Sequence, residues 1–151
     1  MLLARVAMFF YWIFDNIQII TQLKLRTGDA EYWGKLGMIN WSISLVFNLI
    51  QYVRQLFQLN QNLKDYQDLI AKNPEKRESF KDNIKSVKQQ RFDVILNLIK
   101  TFGDILPAFK GASIIFLLEF TDKLGMTWVS DFVAGLGGSV SSAIFMYQVY
   151  K

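Results

Sequence analysis

The chain has no cysteine and no histidine among its 151 residues. Those absences exclude a disulfide framework, a Cys/His zinc site, an imidazole general base and a haem held by histidine or cysteine. Proline occurs only at positions 74 and 107, and each marks a boundary or a kink. Charged residues make up 20% of the chain against 52% hydrophobic, with a mean hydropathy of +0.18. The charge is also unevenly placed. Of 17 basic and 13 acidic residues, 14 lie between Lys64 and Asp93, so the rest of the chain is much more apolar than its average. That split describes one membrane domain, residues 1–151, with a hydrophilic excursion. The net charge of +4 is small and its cations are interleaved with acids. It fits a solvated face near a membrane surface better than a nucleic-acid patch.

Residues 132–150, FVAGLGGSVSSAIFMYQVY, carry no charge at all. Nineteen residues in a helix cover roughly the ~30 Å hydrocarbon core of a bilayer. The run is rich in small residues: Gly135 and Ser139, Gly137 and Ser141, and Gly138 and Ser142 are each four apart. This spacing places small residues on one helix face and lets two membrane helices approach backbone to backbone. In water each glycine weakens a helix by ~1 kcal/mol relative to alanine. A bilayer favours internal backbone hydrogen bonds and holds such a run helical. Replacing Gly138 by leucine is expected to break the association of this helix with its neighbour.

Upstream, residues 2–23 form an apolar, aromatic segment interrupted by Arg5, Asp15 and Asn16. No small-x-small cleavage site follows it, which argues against a cleaved signal. Asp15 lies mid-span, where an acid is costly, and should face a neighbouring helix; the competing reading is a half-buried helix lying in the membrane interface. A polar loop is expected over residues 24–37, with Tyr32 and Trp33 at a membrane–water boundary. The second apolar segment covers residues 36–56. Its pattern continues through Leu45, Leu49, Tyr52, Leu56, Leu59, Leu63, Tyr66 and Ile70, at alternating steps of four and three. The spacing predicts one helix to about Lys72, longer than a bilayer requires. Asn73-Pro74-Glu75 then ends that helix and starts another, with Asn73 as cap and Pro74 in the first position. Phe80, Ile84, Val87, Arg91, Val94, Leu98 and Phe102 share a stripe on this third helix. The two helices make a charged hairpin over residues 57–93 whose base enters the membrane. A third apolar segment, 94–120, contains Lys100, Asp104 and Lys110. Gly103 and Pro107 mark a kink or break in it, and Lys100 and Asp104 are spaced to pair within the helix. The fourth segment is 132–150.

The expected fold is therefore all-α: an integral membrane bundle of about four apolar helices with a long charged hairpin protruding from it. Four spans place the hairpin tip and both termini on one side. The hairpin carries eight Lys/Arg, and the 119–131 loop only Lys123, so the hairpin faces the cytosol, or the matrix in a mitochondrion.

No catalytic constellation is present in the sequence. Ser139, Ser141 and Ser142 lack a histidine partner, and the glycines at 135, 137 and 138 precede no phosphate-binding lysine. No enzyme activity, cofactor or metal site is expected. The intramembrane polar residues are Asp15, Asn16, Asp104 and Lys110; Asp15, Asp104 and Lys110 would be the groups of a channel or proton-coupled transporter, but four short segments without an inverted repeat favour that least.

The order of these elements resembles the peroxisomal biogenesis factor 11 family. The likeness rests on Arg5 followed by aromatics and Asp15-Asn16, and on the charged region after an apolar helix. It also rests on Phe102-Gly103-Asp104-Ile105-Leu106-Pro107-Ala108 and on the run from Gly135 to Ile144 ending in Tyr147-Gln148. Tyr150 stands where the family often has tryptophan. The resemblance implies a non-enzymatic peroxisomal membrane protein that promotes organelle elongation and division, self-associates and recruits division factors. Its partners would be membrane lipids and other membrane proteins, in a homo-oligomer or a larger hetero-complex. The likeness is expected to cover the family's C-terminal two-thirds, without the N-terminal amphipathic region tied to remodelling. A scaffold of that kind could alternatively serve as a structural accessory subunit of a mitochondrial inner-membrane complex.

Overall fold

The computed structural model describes residues 2–112 and 131–150, and all secondary structure among them is helical. Helix α1 spans Leu2–Gln22 and ends in a Schellman motif: the Leu25 N–H donates to the Ile20 carbonyl at 3.1 Å and the Lys24 N–H to the Thr21 carbonyl at 3.0 Å. Lys24 takes the left-handed conformation there, at φ 58°. Gly28, at φ 146°, occupies a region that only glycine enters readily and turns the chain back. Asp29 then caps α2, its carboxylate accepting from the backbone N–H groups of Glu31 and Tyr32. This cap starts α2 at Ala30, so the polar loop expected over residues 24–37 is half helix.

Helix α2 runs unbroken through Ala30–Lys72, 43 residues and about 65 Å. It stops where the Asn73-Pro74 boundary predicts. A 3-10 turn over Pro74–Lys76 leads into α3, Arg77–Gly111. Asn73 makes no side-chain capping bond, contrary to its expected role; proline at the first position of the turn supplies the punctuation alone. Nor does α3 break at Gly103 or Pro107. Helix α4 covers Asp131–Val149. The expected 119–131 loop and the end of the 94–120 segment lie outside the described residues.

Packing follows chain order: α1 lies along α2, α2 along α3, and α3 along α4. Close packing among the described residues is between successive helices, an open array rather than a closed bundle. Two of these helices, α1 and α2, are long and apolar enough to cross a membrane.

The α2–α3 hairpin is registered by its sequence. Tyr66 and Phe80 meet near the turn, ring centroids 5.6 Å apart. One heptad further from the turn on each helix lie Leu59 and Val87, and one heptad beyond those Tyr52 and Val94; all belong to one cluster with Leu63, Leu56, Ile84 and Leu98. Arg91 and Phe102, expected on the same stripe, are exposed instead.

Beyond this cluster the buried residues change character. In the other half of the array they are Ala4, Ala7, Thr21, Gly37, Ser42, Ser44, Thr101, Gly103, Ala108, Ala112 and Ser141, with Leu45 the large exception. The large apolar side chains point outward there, including Phe9, Trp12, Phe47, Ile50, Phe102 and Phe145. Soluble proteins bury large residues and pack small ones where room is short. Here the hairpin tip obeys that rule and the opposite half inverts it.

Candidate helix-packing site

The inverted half contains two crossings built on glycine. In the first, α1 meets α2. A Cβ at Gly37 would lie 3.7 Å from the side chains of Tyr11 and Phe14 and 3.8 Å from the Asp15 backbone nitrogen. Stacked ring pairs flank it: Tyr11 with Trp41 at 5.7 Å and Phe14 with Trp33 at 5.8 Å. The Arg26 guanidinium sits over the Trp33 ring, 5.0 Å from its centroid. Asp15 is half-buried on the helix side that meets α2. Asn16 is exposed and its amide donates to the Trp12 carbonyl at 2.6 Å.

The second crossing is tighter. A Cβ at Gly103 of α3 would lie 2.5 Å from the Gly137 carbonyl oxygen of α4, and a Cβ at Gly137 would lie 2.5 Å from the Gly103 carbonyl oxygen. Each glycine's backbone therefore lies against the carbonyl of the other, the close approach at which weak Cα–H···O contacts form between helices. Pro107 has a part in this. Its ring nitrogen carries no hydrogen, so the Gly103 carbonyl four residues earlier lacks its usual helical donor. The proline leaves the helix intact and frees an acceptor at the point where α4 crosses.

Two further contacts fix the direction of the pair. The Gln148 amide donates to the Asn97 side-chain oxygen at 3.0 Å, and the Lys100 ammonium lies 4.9 Å from the Phe145 centroid. Numbers rise on α3 as they fall on α4, so the helices are antiparallel. Lys100 does not pair with Asp104, as their spacing suggested; ion pairs among the described residues include Glu31–Lys35 and Glu78–Lys81. The ring across the crossing offers the ammonium a partner that the same helix does not. Asp104 is half-buried. Lys110 lies on α3, but its side chain is outside the described ones.

The small residues of α4 divide between two faces. Gly137 and Ser141 meet α3, with Ser141 buried. No described atom lies within 4 Å of a Cβ built at Gly135 or Gly138. Ser139 and Ser142 turn their hydroxyls back to the carbonyls of Gly135 and Gly138, both at 2.9 Å. The disruption expected of Gly138→Leu therefore belongs to Gly137 as far as α3 is concerned. Gly103 was read from the sequence as a kink; its contact with Gly137 was not anticipated. The signal lay in a glycine four residues before a proline.

Three of the buried hydroxyls are satisfied within their own helices, Thr21 by the Ile17 carbonyl, Ser42 by Met38 and Thr101 by Asn97. None of the buried side-chain polar atoms among the described residues lacks a partner. A hydrocarbon surround demands that.

The family described as Peroxisomal biogenesis factor 11 (PEX11) matches residues 1–150. The chain belongs to this family. The match begins at residue 1, so a likeness limited to the C-terminal two-thirds is not borne out. Family membership points to the peroxisomal membrane and to peroxisome biogenesis and fission, and the apolar helices are consistent with that location. It lends no support to a mitochondrial accessory subunit. Neither the curated proteins nor the solved structures contain a match to the chain.

Proposed function

We propose that this member of the PEX11 family is a non-enzymatic, four-span protein of the peroxisomal membrane that promotes elongation and division by helix packing. All four helices among the described residues cross the bilayer through the half of the array whose core is built of Ala, Gly, Ser and Thr. The Leu/Val half of the hairpin stands in the cytosol with both termini. The observation that carries this is the inversion of the core. Many large apolar side chains face outward where lipid would receive them, and the cluster of buried leucine and valine lies towards the charged tip. Lipid tails supply no hydrophobic drive between helices, so close backbone approach and weak polar contacts must hold them together. The crossings at Gly37 and at Gly103–Gly137 meet that requirement.

Among the described residues no helix covers the outer faces of α1 and α4, which would take other membrane proteins, including further copies of the chain. Association through those faces would lay helices side by side in the membrane plane, which suits a protein that shapes a surface. Deleting the protein from its native cells, or expressing it in excess there, tests the reading. We expect fewer, enlarged peroxisomes in the first case and elongated ones in the second. Unchanged peroxisome number and shape in both would contradict it, as would a fluorescent fusion confined to mitochondria.

A further inference from the structure

The distal part of the hairpin holds an open groove of about 1030 Å³ for which membrane packing has no use. Its floor is apolar, formed by Leu63 and Ile70 of α2 and Ile84 of α3. Its α3 rim is basic. Arg77, Lys81, Lys85 and Lys88 recur at steps of three and four residues, which sets them in a row about 16 Å long. All four are exposed. The one carboxylate among the described lining residues, Glu78, is bound to Lys81 at 2.7 Å, so the rim keeps a net excess of positive charge.

We propose that this groove docks an acidic amphipathic helix of a partner protein. A channel between two helices packed at heptad spacing has the geometry that a third helix fills. A partner presenting apolar residues at three- and four-residue steps would cover the exposed parts of Ile70 and Ile84 above the buried Leu63. Carboxylates one turn apart on its flank would meet the row from Arg77 to Lys88. The groove is open along one side, unlike an enclosed small-molecule cleft. Lipid headgroups fit it less well. Leu63 and Ile70 lie about 15 and 25 Å along α2 beyond Val53, where its uncharged run ends, so an upright hairpin holds the groove clear of its own bilayer. An apolar floor also has no part in binding a headgroup. The inference rests on the reading that the hairpin stands in water.

The test uses the full chain in phosphatidylcholine nanodiscs and a fluorescent three-heptad peptide with leucine at the a and d positions and glutamate at e and g. A peptide of the same composition, shuffled to remove the apolar face, is the control. We expect the patterned peptide to bind and the shuffled one not to. Reversing the row with Lys81→Glu, Lys85→Glu and Lys88→Glu together should weaken binding at least about tenfold. Lys64→Glu, an exposed change on α2 outside the lining, should leave it unaltered. Circular dichroism checks that each variant remains helical. Equal binding of the shuffled peptide, or unchanged affinity after the triple reversal, would overturn the proposal. So would capture of phosphatidylserine vesicles by the native row in the absence of peptide binding. If the hairpin is exposed on the organelle and the peptide still fails to bind, the groove proposal falls alone. If the hairpin is buried in the bilayer, the membrane reading falls with it.

Discussion

Gly103 and Gly137 illustrate what a missing side chain permits. Replacing a helical glycine by alanine in water ordinarily strengthens the helix by ~1 kcal/mol. Here the new methyl would meet a backbone oxygen at 2.5 Å, and backbone cannot rotate away. We expect Gly103→Ala and Gly137→Ala each to weaken the α3–α4 pairing by roughly 1–3 kcal/mol, while Gly135→Ala leaves it unchanged. Because the chain has no native cysteine, Asn97→Cys with Gln148→Cys gives a clean reporter. A short thiol cross-linker should join the two in the parent and lose yield in the Gly103 and Gly137 variants only. Asp29 offers a second residue test. Removing its carboxylate with Asp29→Ala should cost about 1 kcal/mol and speed amide exchange at Glu31 and Tyr32, with exchange at the centre of α2 unaffected. The roles of Gly137 and Asp29 differ in how far a sequence reveals them. A cap acts on its own next turn, so Asp29 could have been read from its position before a helical pattern, and its omission lengthened the expected loop. Which of three small residues meets a neighbour depends on how α4 is rotated against α3, and no local pattern fixes that.

At the scale of elements, the heptad from Leu45 to Ile70 was legible because the period alone decides which face is buried, and each of its members is buried or half-buried. Its counterpart on α3 was read less well. Arg91 and Phe102 fit the spacing but not the chemistry: arginine keeps its charge in water at the solvated end, and phenylalanine turns outward in the inverted half. The same contrast yields a prediction. Leu59→Ala or Leu63→Ala removes packing from an ordinary apolar cluster and should destabilise the hairpin by roughly 2–5 kcal/mol. Limited proteolysis on intact organelles should then cut between residues 57 and 93 faster than in the parent. The equivalent truncation of Phe47→Ala, on the exposed face of α2, should not change that rate. Pro107 was expected to interrupt α3, and the helix absorbs it instead. A proline costs a helix one hydrogen bond, and here the freed carbonyl is taken up by the crossing helix.

For the whole molecule, composition and charge placement foretold an all-helical chain, and the order of its motifs foretold its family. What composition could not supply was the inside-out arrangement: two cores in one array, one of leucine and valine, the other of glycine, alanine, serine and threonine. The border between them marks where the membrane surface should lie. Cysteine scanning of the otherwise cysteine-free chain tests that border most directly. Ile43 and Val140 are 42% and 46% exposed in the chain itself, so a thiol at either position is open to the reagent unless the membrane covers it. Lys76 sits at the hairpin tip. With a membrane-impermeant maleimide on intact peroxisomes, Lys76→Cys should label fully, and Ile43→Cys and Val140→Cys only after the membrane is dissolved in detergent. Labelling of Ile43→Cys as rapid as that of Lys76→Cys before detergent would contradict the assignment of the small-residue half to the bilayer.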